Sequence, residues 1–246
     1  MRLKSVVKYN IHEMKYGILI YYVVIAAIMV LLTVMLSDGA VNVSNNRNGF
    51  VSGAEASAIF LFVCGLNSFK QNYLYLSTNG ITRKAQFYGF LISSVIIAVG
   101  MAAIDTATTN ILNMFMNYRP MFYQFFKDFT SESSQLINTV MDFTWSTVIY
   151  LLALVIGYFI TTLYYRMSKM LKIIVSVGVP AMFMIGSPTL TIYLVKMGYI
   201  DEFYKLMGFI GYGNGNPTIA VIVALVEAAV VAGLAYLLVR RAPVKE

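Results

Sequence analysis

The chain has 246 residues, of which 59% are hydrophobic and only 12% are charged, and its mean hydropathy is +0.73. Soluble domains carry about 25% charged residues, so this composition excludes a water-soluble protein and predicts an all-α integral membrane protein. The single cysteine, Cys64, excludes an intrachain disulfide. The single histidine, His12, lies outside the predicted spans, which argues against a histidine-based metal site.

The first residues, 1–16, are predicted to form a separate amphipathic helix. Leu3, Val7, Ile11 and Met14 fall on one helical face, and basic residues flank that face. A basic amphipathic helix that precedes a span typically lies in the membrane interface. A solvated leader is the alternative.

Six apolar stretches follow, each at least as long as the roughly 20 residues that a bilayer-spanning helix needs. They are 17–36, 50–69, 85–112, 143–165, 173–195 and 217–239. Of the 18 Lys and Arg residues, 13 lie on the side of the two termini and 5 on the other side. Because loops rich in Lys and Arg stay in the cytoplasm, both termini are predicted to be cytoplasmic. The chain, 1–246, is then a single transmembrane domain whose basic excess requires no nucleic-acid partner.

The connection between the second and third spans, "NSFKQNYLYLSTNGITRKAQF", predicts a short cytoplasmic helix that ends in a sharp turn. Asn79 and Gly80 form a stop signal, because glycine adopts the left-handed conformation at little cost. Thr82 is predicted to cap the next helix, and Arg83 and Lys84 to anchor its cytoplasmic end. The segment is predicted to be a rigid knob, with an ordinary basic loop as the alternative.

The loop between the third and fourth spans, about 113–142, is rich in Met, Phe and Tyr and is interrupted by Pro120. Its rings are predicted to lie along the outer leaflet as interfacial anchors. Contact with a hydrophobic substrate is the alternative.

Three acidic residues interrupt the predicted spans, where ionisable groups are costly and usually face the bundle interior or water. Glu55 and Asp105 are predicted near the outer ends of their helices, within reach of water. Glu227 is predicted near the midplane, either as a proton or cation site or as a group buried against another helix or a second subunit. Pro180 and Pro188 predict a kink or break in the fifth span.

Gly211-Tyr212-Gly213 is the tripeptide found in potassium-channel selectivity filters, whose carbonyl groups replace the hydration shell of the ion. Phe209 and Asn214 stand where such filters carry a threonine and an acidic residue, which argues against a channel.

A simpler interpretation assigns 201–209 to a short surface or re-entrant helix on the outer side. Gly211, Gly213 and Gly215 then form an extracellular hinge, and Pro217 occupies the first position of the sixth span after the Asn216 cap.

With six spans, cytoplasmic termini and the Asn79, Gly80, Thr82, Arg83, Lys84 motif followed by Phe87, the chain resembles the membrane subunit of ABC exporters with the type-2 (ABC-2-type) permease fold. In particular, it looks like the small bacterial permeases of amphipathic-peptide exporters, such as the phenol-soluble modulin exporter. The resemblance implies a permease homodimer or heterodimer in the bacterial plasma membrane, each copy docked on a separate ATPase through a coupling helix. The implied coupling residues are Asn67, Lys70, Tyr73, Tyr75, Asn79, Gly80, Thr82, Arg83 and Lys84.

The sequence contains no G-x-x-x-x-G-K-[ST] phosphate loop, so this chain is predicted not to be an enzyme and to bind no cofactor. ATP and Mg²⁺ are expected on the partner ATPase, and the exported substrate is expected to be an amphipathic peptide or a lipid-like molecule. Two alternatives stay open: a non-transporting membrane protein such as an immunity factor, and a cation channel built on Gly211-Tyr212-Gly213.

Overall fold

A computed structural model of the chain describes residues 2–37, 53–115, 120–209, 211 and 216–241. In that part of the chain there are ten helices and no strand. They are α1 (Arg2–Ser37), α2 (Gly53–Asn67), α3 (Lys70–Thr78), α4 (Arg83–Phe115), α5 (Met121–Phe125), α6 (Lys127–Glu132), α7 (Gln135–Arg166), α8 (Lys169–Met197), α9 (Ile200–Phe209) and α10 (Pro217–Arg240).

Five of these helices are long and apolar enough to cross a bilayer, which makes the protein an all-α, multi-pass membrane protein. They are Leu3–Leu31 within α1, Arg83–Asn113 within α4, and the whole of α7, α8 and α10. The second predicted span corresponds to α2, which has 15 residues and is shorter than the length a span needs. Residues 50–52 at its predicted start lie outside the described part of the chain, so the count of six spans stays a prediction.

Helix α7 is the centre of the bundle and packs against α2, α4 and α10, while α1 packs mainly on α4 and α8 contacts mainly α9. We call the end of the bundle that carries the start of α1, helix α3 and the end of α10 the terminal end. The opposite end, where α7 and α10 begin, is the far end. Three buried clusters follow one another from the terminal end to the far end, centred on Tyr158, Leu154 and Trp145 respectively.

Helices α2 and α7 approach each other closely because each contributes a glycine at their crossing. A methyl group on Gly65 would overlap the carbonyl oxygen of Leu154, and one on Gly157 would overlap that of Phe62. Thr161 also donates a hydrogen bond from its hydroxyl to the carbonyl oxygen of Leu66. The two helices are therefore held with their backbones in contact.

The separate interfacial helix predicted over 1–16 is not what the structure shows, because α1 runs without a break from Arg2 to Ser37. The buried face of its first half shares only Met14 with the predicted stripe. Val6, Asn10 and Met14 are buried. Val6 fits against Gly89 of α4, and Asn10 donates to the hydroxyl of Ser93 at 3.4 Å, so this segment packs on α4.

Several local predictions agree with the structure. Asn216 accepts a hydrogen bond from the backbone N–H of Thr218 at 3.2 Å, and Pro217 is the first residue of α10. The predicted short helix over 201–209 is present as α9. Helix α8, by contrast, continues through both Pro180 and Pro188, so neither proline breaks it.

Candidate functional site

The predicted knob after the second span is helix α3 and the turn that follows it. Ile81 donates from its backbone N–H to the carbonyl oxygen of Leu76, and Gly80 to that of Ser77, both at 3.0 Å. Gly80 has a φ of +69°, the left-handed conformation that closes such a helix end. Thr82 then accepts from the backbone N–H of Ala85 at 3.4 Å and caps α4. The predicted helix end at Asn79 and Gly80 and the predicted start of the next helix after Thr82 are confirmed.

Helix α3 is bonded to α1 through three side chains that the sequence analysis did not single out. Asn72 donates to a carboxylate oxygen of Glu13, and Tyr9 donates to the amide oxygen of Asn72 at 3.4 Å. The ring of Tyr9 also stacks on the ring of Tyr75 with centroids 5.0 Å apart. These contacts fix the side of α3 that faces the first helix.

The other side of α3 enters a cluster of aromatic rings that includes Tyr165 of α7. Tyr73 is 2% exposed, and its ring lies 5.0 Å from that of Phe69 and 5.9 Å from that of Tyr165. Burial raises the pKa of Tyr73, while the Arg83 guanidinium, which donates a hydrogen bond to the phenol, acts in the opposite direction. Tyr73 therefore faces the interior of the bundle, and its part in coupling stays a prediction.

Helices α4 and α10 complete the attachment. Gln86 donates from its amide to the hydroxyl of Ser77 at 3.1 Å and to the carbonyl oxygen of Ile81 at 2.9 Å. Arg83 donates to the carbonyl oxygen of Arg240 at 2.9 Å. Helix α3 and its turn, with these contacts to α1, α4, α7 and α10, form what we call the terminal junction.

The remaining coupling residues implied by the resemblance lie on the open surface of the terminal junction. Tyr75 is 53% exposed despite its stacking on Tyr9. The others that are exposed are Asn67, Lys70, Asn79, Gly80, Thr82, Arg83 and Lys84. This surface is basic and contains no acidic residue between Asn67 and Lys84. It is therefore suited to a partner with acidic or hydrogen-bond-accepting groups.

A second candidate site surrounds Asp105 inside the bundle. One carboxylate oxygen accepts a hydrogen bond from Tyr22 of α1 at 3.0 Å, and the other accepts one from Tyr150 of α7. Ser57 of α2 contributes a third hydroxyl donor. We call these four residues the hydroxyl hub. Charge-assisted bonds of this kind are about twice as strong as neutral ones, so the hub links four helices at one carboxylate.

The hub is extended by a second tyrosine on α1. Tyr21 forms a hydrogen bond with Ser57 at 2.9 Å, and its ring stacks on that of Phe60 with centroids 4.5 Å apart. Asp105 was predicted on the outer end of its helix within reach of water. It is instead shared between helices, although its side chain remains partly exposed. The tyrosines and the serine that hold it carried no sequence signal.

Four polar residues at intervals of four lead from the far end of α7 to the hub. They are Asn138, Asp142, Ser146 and Tyr150, and all four are buried. Asp142 accepts a hydrogen bond from Ser146 and lies close enough to Asp105 for their charges to interact. We call these residues the polar track. Asp142 fell just outside the predicted fourth span, but the regular spacing of the four residues on one helical face could have identified it.

The other predicted site residues do not come together. Glu55 lies in the first turn of α2 and is partly exposed, and Glu227 is exposed on the outward face of α10. Gly211 has a φ of +90° and is buried against the backbone of Ala220. Gly213 and Gly215 lie outside the described residues. Within the described residues, no group of three or more His, Cys, Asp or Glu side chains could hold a metal ion.

Comparison of the chain with protein-family models, with curated proteins and with solved structures finds no match.

Proposed function

We propose that this protein is the membrane-spanning permease subunit of an ATP-driven exporter of the ABC-2 type, located in the bacterial plasma membrane. A separate ATPase docks on the terminal junction and moves the helices that hold it. The observation that carries the proposal is the attachment of the terminal junction to four helices: α3 is bonded to α1 and α4 and packs against α7, and Arg83 after the turn is bonded to the end of α10. A docking element must be rigid and firmly connected, because a loosely held loop would move without transmitting force.

The contacts of α3 support this role. Asn72 bonds to Glu13 of α1, Gln86 of α4 bonds back to Ser77, and Tyr73 packs against Tyr165 of α7. The turn itself is attached to the end of α10 by the bond from Arg83 to Arg240. A push on the exposed turn is thereby distributed over four helices of the bundle.

The residues exposed at the tip of the terminal junction also support a protein partner at that end of the bundle. Asn79, Gly80, Thr82 and Lys84 are exposed at the tip of the terminal junction, and Gly80 has open space around it. Since the sequence contains no phosphate loop, the energy for transport must come from a partner that carries one. The permease is expected to pair with a second permease and to export an amphipathic peptide or a lipid-like molecule.

Site-specific photo-cross-linking in the native host tests the proposal. A photoreactive residue placed at Thr78, which is exposed beside the turn, is expected to cross-link to a protein that contains a phosphate loop. The same residue at Leu136, which is 74% exposed at the far end, is the matched control and is expected not to capture that protein.

The partner identified in this way must then hydrolyse ATP faster when the permease is present in the same membrane. Cross-linking at Thr78 to no ATPase would overturn the exporter function and leave a non-transporting membrane protein. Potassium-selective current through the purified chain alone would overturn it in favour of a channel.

A further inference from the structure

Helices α5 and α6, residues 121–132, form a short amphipathic segment that folds back over the far end of the bundle. Phe122 and Phe126 are 0% and 4% exposed. On the opposite face, Lys127, Asp128 and Glu132 are exposed. The rings were predicted to lie along the outer leaflet, but the two buried ones point into the protein instead.

This segment packs on the ring of Trp145 of α7. The Trp145 ring lies 6.1 Å from the ring of Phe122 and 6.0 Å from that of Phe126, and the two phenylalanine rings are 5.1 Å apart. Ala220 of α10 belongs to the same buried cluster. The segment therefore covers the line along which α7 and α10 meet.

The covered region includes the far end of the polar track. Tyr123 packs with the buried cluster and interacts with the charge of Asp142, and burial followed by that charge raises the pKa of Tyr123. Asn138, the first residue of the track, donates from its amide to the carbonyl oxygen of Thr130 at 2.9 Å. Its own amide oxygen is buried without a hydrogen-bond partner. The segment thus separates Asp142 from the water at the far end.

The segment is attached to the bundle mainly by the aromatic cluster around Trp145 and by the hydrogen bonds of Asn138. Helices α5 and α6 have five and six residues, and neither has a side-chain hydrogen bond at its N-cap. Helix α5 packs on α7, and the main contact of α6 is α5. Short helices with few buried contacts open at a lower free energy than the helices of the bundle.

We infer that α5 and α6 are a lid that opens at the far end and admits water to Asp142 and, along the polar track, to the hydroxyl hub. In the closed position, Phe122 and Phe126 pack against the ring of Trp145. The opening is a property of this chain alone, so it can be measured without an ATPase and whatever substrate the protein carries.

The protein provides its own reporter, because Trp145 is the only tryptophan in the chain. Its fluorescence is measured on the full chain in lipid nanodiscs with iodide, a quencher confined to water. Phe122→Ala is expected to raise quenching roughly two-fold or more, since the lid then has less buried surface to hold it closed. Leu136→Ala removes an exposed side chain near the start of α7 and is expected to leave quenching unchanged.

Locking the lid gives a second measurement, in which the cross-linked protein is compared with the same double-cysteine variant before cross-linking. The chain has one cysteine, so Cys64→Ser provides a background for Phe122→Cys with Ala220→Cys. A short bifunctional thiosulfonate that joins them is expected to lower iodide quenching of Trp145 and to slow amide hydrogen exchange over 121–132. Each single-cysteine variant treated with the same reagent is the control.

The inference is overturned if amides of 121–132 exchange no faster than those of 142–158 in the untreated protein. It is also overturned if cross-linking changes neither quenching nor exchange, because the aromatic cluster would then be static packing. Both results are independent of whether an ATPase docks at the terminal junction.

Discussion

Arg83 donates a hydrogen bond from Nη1 to the carbonyl oxygen of Arg240, 2.9 Å away, and so joins the first residue of α4 to the last residue of α10. The next residue, Lys84, is also exposed. The two adjacent basic residues have different expected roles: Arg83 attaches the terminal junction to the bundle, and Lys84 is expected to contact a partner that docks there.

Lys84→Glu is expected to weaken docking of the ATPase by roughly an order of magnitude, because a repulsive charge at an interface rim slows association and costs binding energy. The measurement is stimulation of the partner's ATPase activity as the permease concentration is varied. Lys169→Glu makes the same charge change on an exposed residue at the same end of the bundle and is the control. If the two substitutions reduce the stimulation of ATPase activity equally, the turn is not part of the docking surface.

Arg83→Ala is expected to lower the thermal stability of the detergent-solubilised protein more than Lys84→Ala does. It removes the bond to Arg240 and the bond to the buried phenol of Tyr73, and a hydrogen bond is worth about 0.5–1.5 kcal/mol. Arg83→Lys keeps the charge without the planar guanidinium and is expected to recover only part of the loss. If Arg83→Ala melts at the wild-type temperature, Arg83 does not attach the junction.

Gly65→Ala and Gly157→Ala are each expected to destabilise the protein by about 2–4 kcal/mol, because the added methyl group overlaps the backbone of the facing helix. Gly233→Ala is the matched control in another helix, since no atom lies within 4 Å of its added methyl group. That substitution is expected to be neutral or to stabilise α10 by up to about 1 kcal/mol. Melting curves of the three variants in one detergent give the comparison.

Tyr150→Phe is expected to cost about 1–3 kcal/mol, because it leaves a carboxylate oxygen of Asp105 without its donor. Tyr88→Phe is the control, since Tyr88 is 51% exposed and keeps its ring contacts after the change. In an Asp105→Asn background the cost of Tyr150→Phe is expected to fall, with a coupling of about 0.5–3 kcal/mol. Additive effects in this double-mutant cycle would show that the two residues do not act together.

The parts of the fold that were predictable follow from local physics. The apolar lengths of α4, α7, α8 and α10, the left-handed Gly80 and the Asn216 cap all depend on residues close together in sequence. The separation of 1–16 from the first span failed because Val6 and Asn10 find partners on α4, more than 80 positions away in the chain. Amphipathic spacing alone cannot show whether lipid or protein covers an apolar face.

The candidate sites were predictable only in part for the same reason. The tip of the terminal junction carries its own turn and cap signals, so Asn79, Gly80 and Thr82 were identified. The hydroxyl hub joins Tyr22, Asp105 and Tyr150 from three separate helices, and a tyrosine in an apolar span looks the same whether it faces lipid or a carboxylate. Only the acidic member of the hub was unusual enough to be singled out.

Helix α1 takes part in both candidate sites, with Glu13 at the terminal junction and Tyr22 at the hydroxyl hub. The two residues are nine positions apart, which corresponds to about 14 Å of helix at 1.5 Å per residue. Because α1 is unbroken over this distance, one continuous helix connects the two sites. Under the proposed function, a displacement of α3 would therefore be passed along α1 to the phenol that bonds to Asp105.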